Sequence, residues 1–157
     1  MAIKIGEKAP SFTLSDMEKK PRSLQEFFGK NSVLAFFPGA FTGTCTKELC
    51  TLRDSMSNFN SLDAQVIGIS VDGPFANKAF ATHNNLQFPL LSDYSREVTK
   101  LYGLAHDDFA GLKGYTAAKR SIFIIDKTGI VRYTWVSENP GVEPNYEEIA
   151  KALSDIK

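Results

Sequence analysis

The stretch AFFPGAFTGTCTKELCTLRD, residues 35–54, holds both cysteines of the chain, Cys45 and Cys50. A thiol attacks or binds a metal only as thiolate, and an ordinary cysteine, with a pKa of about 8.5, carries little thiolate at neutral pH. The chemistry open to this pair is nucleophilic or redox chemistry, provided that the surroundings favour a negative sulfur. Cys45 falls in the first turn of a helix that starts at residue 43. Free backbone N–H groups and the positive end of the helix dipole lie there. Thr42 or Thr44 can cap that helix, and Thr42 can offer its hydroxyl toward Cys45. Cys45 also stands four residues before Leu49, on the apolar stripe, and so faces a pocket. Burial works against a charged sulfur, so a reactive Cys45 needs a cation. Arg53 and Arg120 are the candidates, because arginine stays charged and donates in a fork.

If residues 45–50 are helical, the two Cα atoms are separated by about 7.5 Å of rise and a turn of about 140°, or roughly 8.6 Å. A disulfide wants Cα atoms within about 7 Å. The pair cannot bond while the helix is intact: either the two thiols never bond, or the helix unwinds when they do. Two cysteines in one helix can also serve as small hydrophobes. A metal site is not expected, since closed zinc sites want four clustered ligands and only His83 and His106 could add to the two thiols. The C-x-x-C pattern of disulfide oxidoreductases is absent, because four residues separate the thiols.

The elements that would position these residues follow from hydrophobic period. SVLAFF at 32–37 is a continuous apolar run ended by Pro38 and Gly39, which suits a strand buried on both faces. Residues 43–62 switch to helical period, with Leu49, Leu52, Met56 and Phe59 on one stripe. Further strands are expected at 9–14, 64–72 and 88–93, and helical turns at 22–28. Helices are expected at 74–85, with Pro74 in its first turn, and at 95–103, closed by Gly103. Residues 104–119 show no period and read as a loop. Residues 121–126 and 130–136 flank the turn KTG as a hairpin, and an amphipathic helix closes the chain at 143–156. Strands that alternate with helices, followed by a hairpin, give an α/β fold with a mixed central sheet flanked by helices.

The 157 residues fit one domain, 1–157, able to bury a core without staples. Apolar residues make up 43% and charged residues 23%, and the formal net charge is zero. A nucleic-acid footprint is not expected from such a balance. The apolar runs are too short to span a bilayer, and the first residues carry no secretory pattern. A cytoplasmic protein is expected, in which thiols rest reduced and a disulfide is transient.

With these residues in place, the sequence resembles the peroxiredoxins of the AhpC/TSA superfamily. Their motif P-x-x-x-T-x-x-C stands here as Pro38, Thr42 and Cys45, and VIGISVD, FPLLSD, YG and RSIFIIDKTGIVRY follow like the family's later landmarks, in order. The resemblance covers nearly the whole chain. It implies a thioredoxin-like fold with an N-terminal extension and a thiol-dependent peroxidase. Cys45 would be the peroxidatic nucleophile, Thr42 would orient the peroxide, Pro38 would shield the pocket, and Arg120 would stabilise thiolate and transition state. Glu48 matches an acidic residue often found three positions after the catalytic cysteine, and Arg53 a supporting residue. CTKELC with LRD is similar to the PrxQ or bacterioferritin-comigratory branch, in which Cys50 would resolve Cys45 within the chain. FFPGAFTGTC and LRD are closer to the AhpE type, which commonly acts with one catalytic cysteine. Phe37 reads as core, and Phe41 and Phe88 as core or pocket lining. No cofactor or metal is implied. A peroxide and a thioredoxin-like reductant would be the partners, with neither nucleic acid nor membrane, and the chain would be a monomer or a homodimer. The rival readings are a thiol–disulfide oxidoreductase and a non-catalytic redox-binding module.

Overall fold

A computed structural model describes residues 3–156. Nine strands and five α-helices follow in chain order: β1 (Thr13–Ser15), β2 (Pro21–Ser23), β3 (Asn31–Phe36), α1 (Gly43–Asp54), α2 (Met56–Ser61), β4 (Ala64–Ser70), α3 (Pro74–His83), β5 (Leu90–Ser92), α4 (Glu97–Leu101), β6 (Ala105–His106), β7 (Ala117–Ala118), β8 (Ser121–Ile125), β9 (Val131–Val136) and α5 (Tyr146–Ser154). Seven strands form one sheet in the order β2-β1-β5-β4-β3-β8-β9. Its centre, β5-β4-β3, is parallel, and β8 and β9 add antiparallel to β3. The mixed sheet expected from the sequence is thus present.

Every residue of β3 is buried, because both faces of the sheet are covered and successive side chains point to opposite faces. Val33, Ala35 and Phe37 enter one core with Cys45, Leu49, Leu52, Phe59, Phe80, Ile149 and Leu153, which brings α1, α2, α3 and α5 onto that face. Leu34 and Phe36 enter the other core, with Phe12, Leu24, Phe27, Val98 and Tyr102 from the N-terminal segment and α4. Gly68 of β4 lies under α1. A Cβ there would come within 2.5 Å of the Leu90 side chain on the neighbouring strand β5, whereas 3.6 Å to Leu49 is ordinary contact, so glycine leaves room for Leu90 beneath the helix layer.

Several boundaries differ from the sequence reading. The helix expected over 43–62 is two helices, α1 and α2, parted at Ser55. The Ser55 hydroxyl donates to the Thr51 carbonyl at 2.9 Å, a local bond that competes with the helix ladder, yet the apolar stripe continues across the break. The first strand is shorter and later than 9–14. The segment 22–28 divides into the end of β2 and a 3-10 turn, Leu24–Phe27. The loop 104–119 contains the small β6–β7 ladder and a short turn at Phe109–Gly111. The last helix starts at Tyr146 rather than 143, because the Asn145 side chain accepts from the N–H groups of Glu147 and Glu148 at 3.0 and 3.1 Å and caps it there.

The β8–β9 hairpin is closed by one carboxylate. Asp126 accepts from the Thr128 N–H, the Thr128 hydroxyl and the Ile130 N–H, and from Arg132 Nε at 2.7 Å. Burial works against its charge, but these hydrogen bonds prevail and lower its pKa to about 2. Its stabilisation is present above the unfolded value near 3.8 and is lost as pH falls toward 2. Asp126→Asn should therefore lower stability in urea at pH 7 by about 2 kcal/mol, with the difference from wild type shrinking between about pH 4 and pH 2. A difference that persists unchanged at pH 2 would contradict this account of Asp126.

Candidate active site

The site is built where β3 ends and α1 begins. Phe37 extends the strand by donating to the Ile69 carbonyl at 3.0 Å, and its side chain is core. Pro38 and Gly39 are buried. The Ala40 N–H donates to Asp72 Oδ2 at 2.7 Å, and Asp72 also accepts from the Ser70 hydroxyl at 2.9 Å. The loop is thereby pinned to the end of β4. Phe41 takes a left-handed φ of 65°. Its side chain is exposed and packs edge-on against Phe80 of α3 at 5.2 Å between centroids. Phe88 is buried in the core.

Thr42 is the N-cap residue of α1, but its hydroxyl makes no capping bond. It donates instead to the Gly39 carbonyl at 2.8 Å and so closes the loop from Gly39 to Thr42. The capping expected of Thr42 is replaced by this bond, because the loop must turn back on itself before the helix starts.

Cys45 is the third residue of α1 and is fully buried. The first N–H bonded within the helix is that of Thr46, to the Thr42 carbonyl. The N–H groups of Gly43, Thr44 and Cys45 precede it, at the positive end of the dipole. Both cysteines are free thiols. They stand on one unbroken helix, with the separation of roughly 8.6 Å that helix geometry gives. Among the described residues no cluster of three or more His, Cys, Asp or Glu could hold a metal.

Of the two candidate cations, Arg120 is the one at Cys45. Arg120 stands just before β8 and is 1% exposed. Its Nη1 donates to Glu48 Oε1 at 2.8 Å, and its Nη2 to the Pro140 carbonyl at 2.7 Å. Burial works against its charge, but the adjacent Cys45 sulfur and the Glu48 carboxylate prevail and hold its pKa above the ordinary arginine value. Arg53 stands at Cys50 instead, because three residues along a helix rise about 4.5 Å and eight about 12 Å. It donates to Asp54 at 2.9 Å and to the Asn84 carbonyl at 2.5 Å. Its pKa is raised by the bond to Asp54, against some burial, and by the nearby Cys50 sulfur.

Glu48 lies one turn below Cys45 and is fully buried. Burial raises its pKa to about 7; Arg120 opposes this and Glu143 adds to it. Glu143 in turn accepts from the Tyr146 hydroxyl at 2.6 Å and pairs with Lys47 at 3.3 Å. The chain after β9 therefore closes over the arginine. Asp72, Pro140 and Asn84 escaped sequence reasoning. The only signal for Asp72 is its place at the end of the apolar run 64–71, and Pro140 acts through its backbone, which no side-chain motif reports.

The AhpC/TSA family matches residues 5–134. The chain belongs to this family. It is a peroxiredoxin, and thiol-dependent peroxidase is the activity that membership supports. It is 38% identical to the chloroplastic peroxiredoxin Q of Sedum lineare over 97% of its length and 78% of that protein. It is also 38% identical to the putative peroxiredoxin bcp of Coxiella burnetii, over 86% of its length and 89% of that protein. The crystal structure of peroxidoxin BcpB from Mycobacterium tuberculosis superposes with a TM-score of 0.86 at 31% identity, covering 99% of both chains. The thioredoxin-like peroxiredoxin fold follows. No helix among the described residues is long and apolar enough to cross a membrane.

The charge on Glu48 gives a pH test. Its folded pKa is raised, so its stabilisation is present below about 4.5 and is lost as pH rises toward 7. The stability of wild type relative to Glu48→Gln, read from urea unfolding, should fall by on the order of 3 kcal/mol between pH 4.5 and pH 7.5. A difference that grows with pH would mean that the Arg120 pair, not burial, governs Glu48.

Proposed function

We propose that this peroxiredoxin reduces hydrogen peroxide and small organic hydroperoxides with Cys45 as nucleophile and Cys50 as resolving thiol. The observation that carries the reading is the placement of Cys45: fully buried, at the N-terminus of α1 and beside the Arg120 guanidinium.

The Cys45 thiolate attacks one peroxide oxygen, the O–O bond breaks, and negative charge grows on the departing oxygen. Fixed donors aimed at developing charge lower such a barrier. Arg120 and the first N–H groups of α1 are those donors. Thr42, whose hydroxyl oxygen keeps lone pairs free while its proton serves Gly39, orients the peroxide by accepting a hydrogen bond from its O–H. Pro38 shields the sulfur from water, and Glu48 and Arg53 support the two ends of α1. The leaving oxygen takes a proton and departs as water or alcohol, and Cys45 is left as sulfenic acid. Cys50 then attacks that sulfur, a disulfide forms, and the sulfenic oxygen leaves as water. A dithiol protein of thioredoxin type, working by thiol–disulfide exchange, returns both thiols. The relatives named above, of the Q and bcp types, support the two-cysteine course. We take residues 1–157 to work as one unit in a reducing compartment, the cytoplasm, as a monomer or homodimer.

Intact mass and a free-thiol count after one equivalent of hydrogen peroxide test this. Wild type should lose two hydrogens and both thiols within one chain. Cys50→Ser should gain one oxygen and keep none of its thiol, and Cys45→Ser should stay unreacted over the same time. Arg120→Leu should slow the first step at least a hundredfold, the factor associated with a lost transition-state donor of this kind. Rapid oxidation of Cys45→Ser at Cys50 would overturn the assignment of the nucleophile.

A further inference from the structure

Cys50 does not stand free on α1. It is only half-buried, and its S–H donates to Asn84 Oδ1 at 3.6 Å. Asn84 is the residue that ends α3. Its own amide N–H2 donates to the Phe80 carbonyl at 3.0 Å, which fixes the direction of Oδ1. Its backbone carbonyl accepts from Arg53 at 2.5 Å. One residue of α3 therefore holds α1 at two points, three residues apart. The same helix touches the loop before Cys45, where Phe41 packs on Phe80 and lies 5.9 Å from His83.

This arrangement matters because Cys45 and Cys50 cannot meet while α1 is intact. The helix must unwind between them, and Cys50 must leave its seat to do so. To reach Cys45 the Cys50 sulfur must break its bond to Asn84 Oδ1, while Arg53 stays fixed on the backbone carbonyl of the same residue.

We propose that Asn84 is a positioning residue of the resolving step: it keeps the Cys50 side chain seated at the end of α3 and so sets how long the sulfenic acid on Cys45 lives. The inference rests on the reading that Cys50 resolves. In the step itself the Cys50–Asn84 bond breaks, the Cys50 sulfur forms a bond to the Cys45 sulfur, and the S–O bond of the sulfenic acid breaks. The proton of Cys50 leaves with that oxygen as water. Formally the Cys50 sulfur goes from −2 to −1 and the Cys45 sulfur from 0 to −1, so the step is redox-neutral overall and no further reactant is needed.

Removal of the acceptor and its strengthening should act in opposite directions. Asn84→Ala and Asn84→Leu take the acceptor away at a backbone φ of −103°, which any residue adopts. Asn84→Asp puts a charged acceptor in its place, and bonds to charged acceptors are about twice as strong. Sulfenic acid would be formed with stoichiometric hydrogen peroxide, and disulfide formation followed by rapid alkylation and intact mass. The Ala and Leu substitutions should speed this step by about three- to tenfold, the factor one hydrogen bond is worth. Asn84→Asp should slow it by a similar factor. Under excess peroxide, sulfinic acid on Cys45 should then decrease in the first two and increase in the third.

A merely structural role for Asn84 would loosen α1 in all three variants and move them the same way, which would overturn the proposal. So would unchanged rates in Asn84→Ala and Asn84→Leu, the arm that remains if Asn84→Asp does not fold. A wild-type protein that holds sulfenic acid with Cys50 free would overturn the resolving reading itself. A wild-type disulfide with no response at position 84 would overturn only the part given to Asn84.

Discussion

A guanidinium cannot be left alone in a protein interior, and the reactive end of this molecule is arranged around that constraint. Arg120 is 1% exposed and Glu48 is 0% exposed. Removing water from two such groups is expensive, and the pair is only partly satisfied, since Glu48 Oε2 and Arg120 Nε are buried without a hydrogen-bond partner among the described residues. Here Glu48 comes from α1, Arg120 from the start of β8, and the second acceptor, the Pro140 carbonyl, from the chain beyond β9. The pair therefore fixes how α1 is rotated on the sheet. Cys45 lies three residues before Glu48, nearly on the same face. Whatever holds Glu48 on the arginine holds the sulfur there too.

The sheet supplies the second constraint. The parallel strands β3 and β4 are buried on both faces, and the turn at the end of β3 must deliver a helix N-terminus to the guanidinium without lifting α1 off the sheet. Gly68 leaves room for the Leu90 side chain of β5. Asp72 fixes the loop by its bond to the Ala40 N–H, and the Thr42 hydroxyl fixes it again through Gly39. Phe41 absorbs the change of direction in a left-handed conformation, which a bulky residue adopts at some strain. Its packing against Phe80 helps to hold it there.

Much of this was legible in the residues. The apolar run at 32–37, the helical stripe that includes Leu49 and Leu52, and the position of Cys45 in the first turn of α1 all follow from period and chain order. The break at Ser55 does not, because a hydroxyl that bonds back to Thr51 leaves the hydrophobic period unchanged. Arg120 was legible through its family landmark, whereas the choice between Arg53 and Arg120 as neighbour of Cys45 needed helix phase and a distant segment together. Contacts made by backbone carbonyls, such as Pro140 on Arg120, or by amides closing helices, such as Asn84 on Cys50, leave no pattern in sequence. They depend on which elements the sheet order brings side by side.

In the reaction proposed above, the two steps make opposite demands on α1. Attack on peroxide needs a helix whose first N–H groups converge on Cys45, and disulfide formation needs the same turns opened. The composition of GTCTKELCTLRD suits such a compromise. Gly43 costs a helix about 1 kcal/mol relative to alanine, and each threonine and cysteine roughly half of that. Thr46 and Thr51 hydroxyls bond back to carbonyls four residues earlier, which weakens the ladder further. The segment is helical because tertiary contacts hold it so: Leu49 and Leu52 in the core, Glu48 on Arg120, and Cys50 and Arg53 on Asn84. The first two anchors sit deep under the sheet-facing side, while the last is half-exposed at its rim. Opening the turns between Cys45 and Cys50 therefore means releasing Glu48 from Arg120 and Leu49 from the core as well as the rim contacts, while Leu52 and the core below it stay in place, so that the change is confined to one end of one helix.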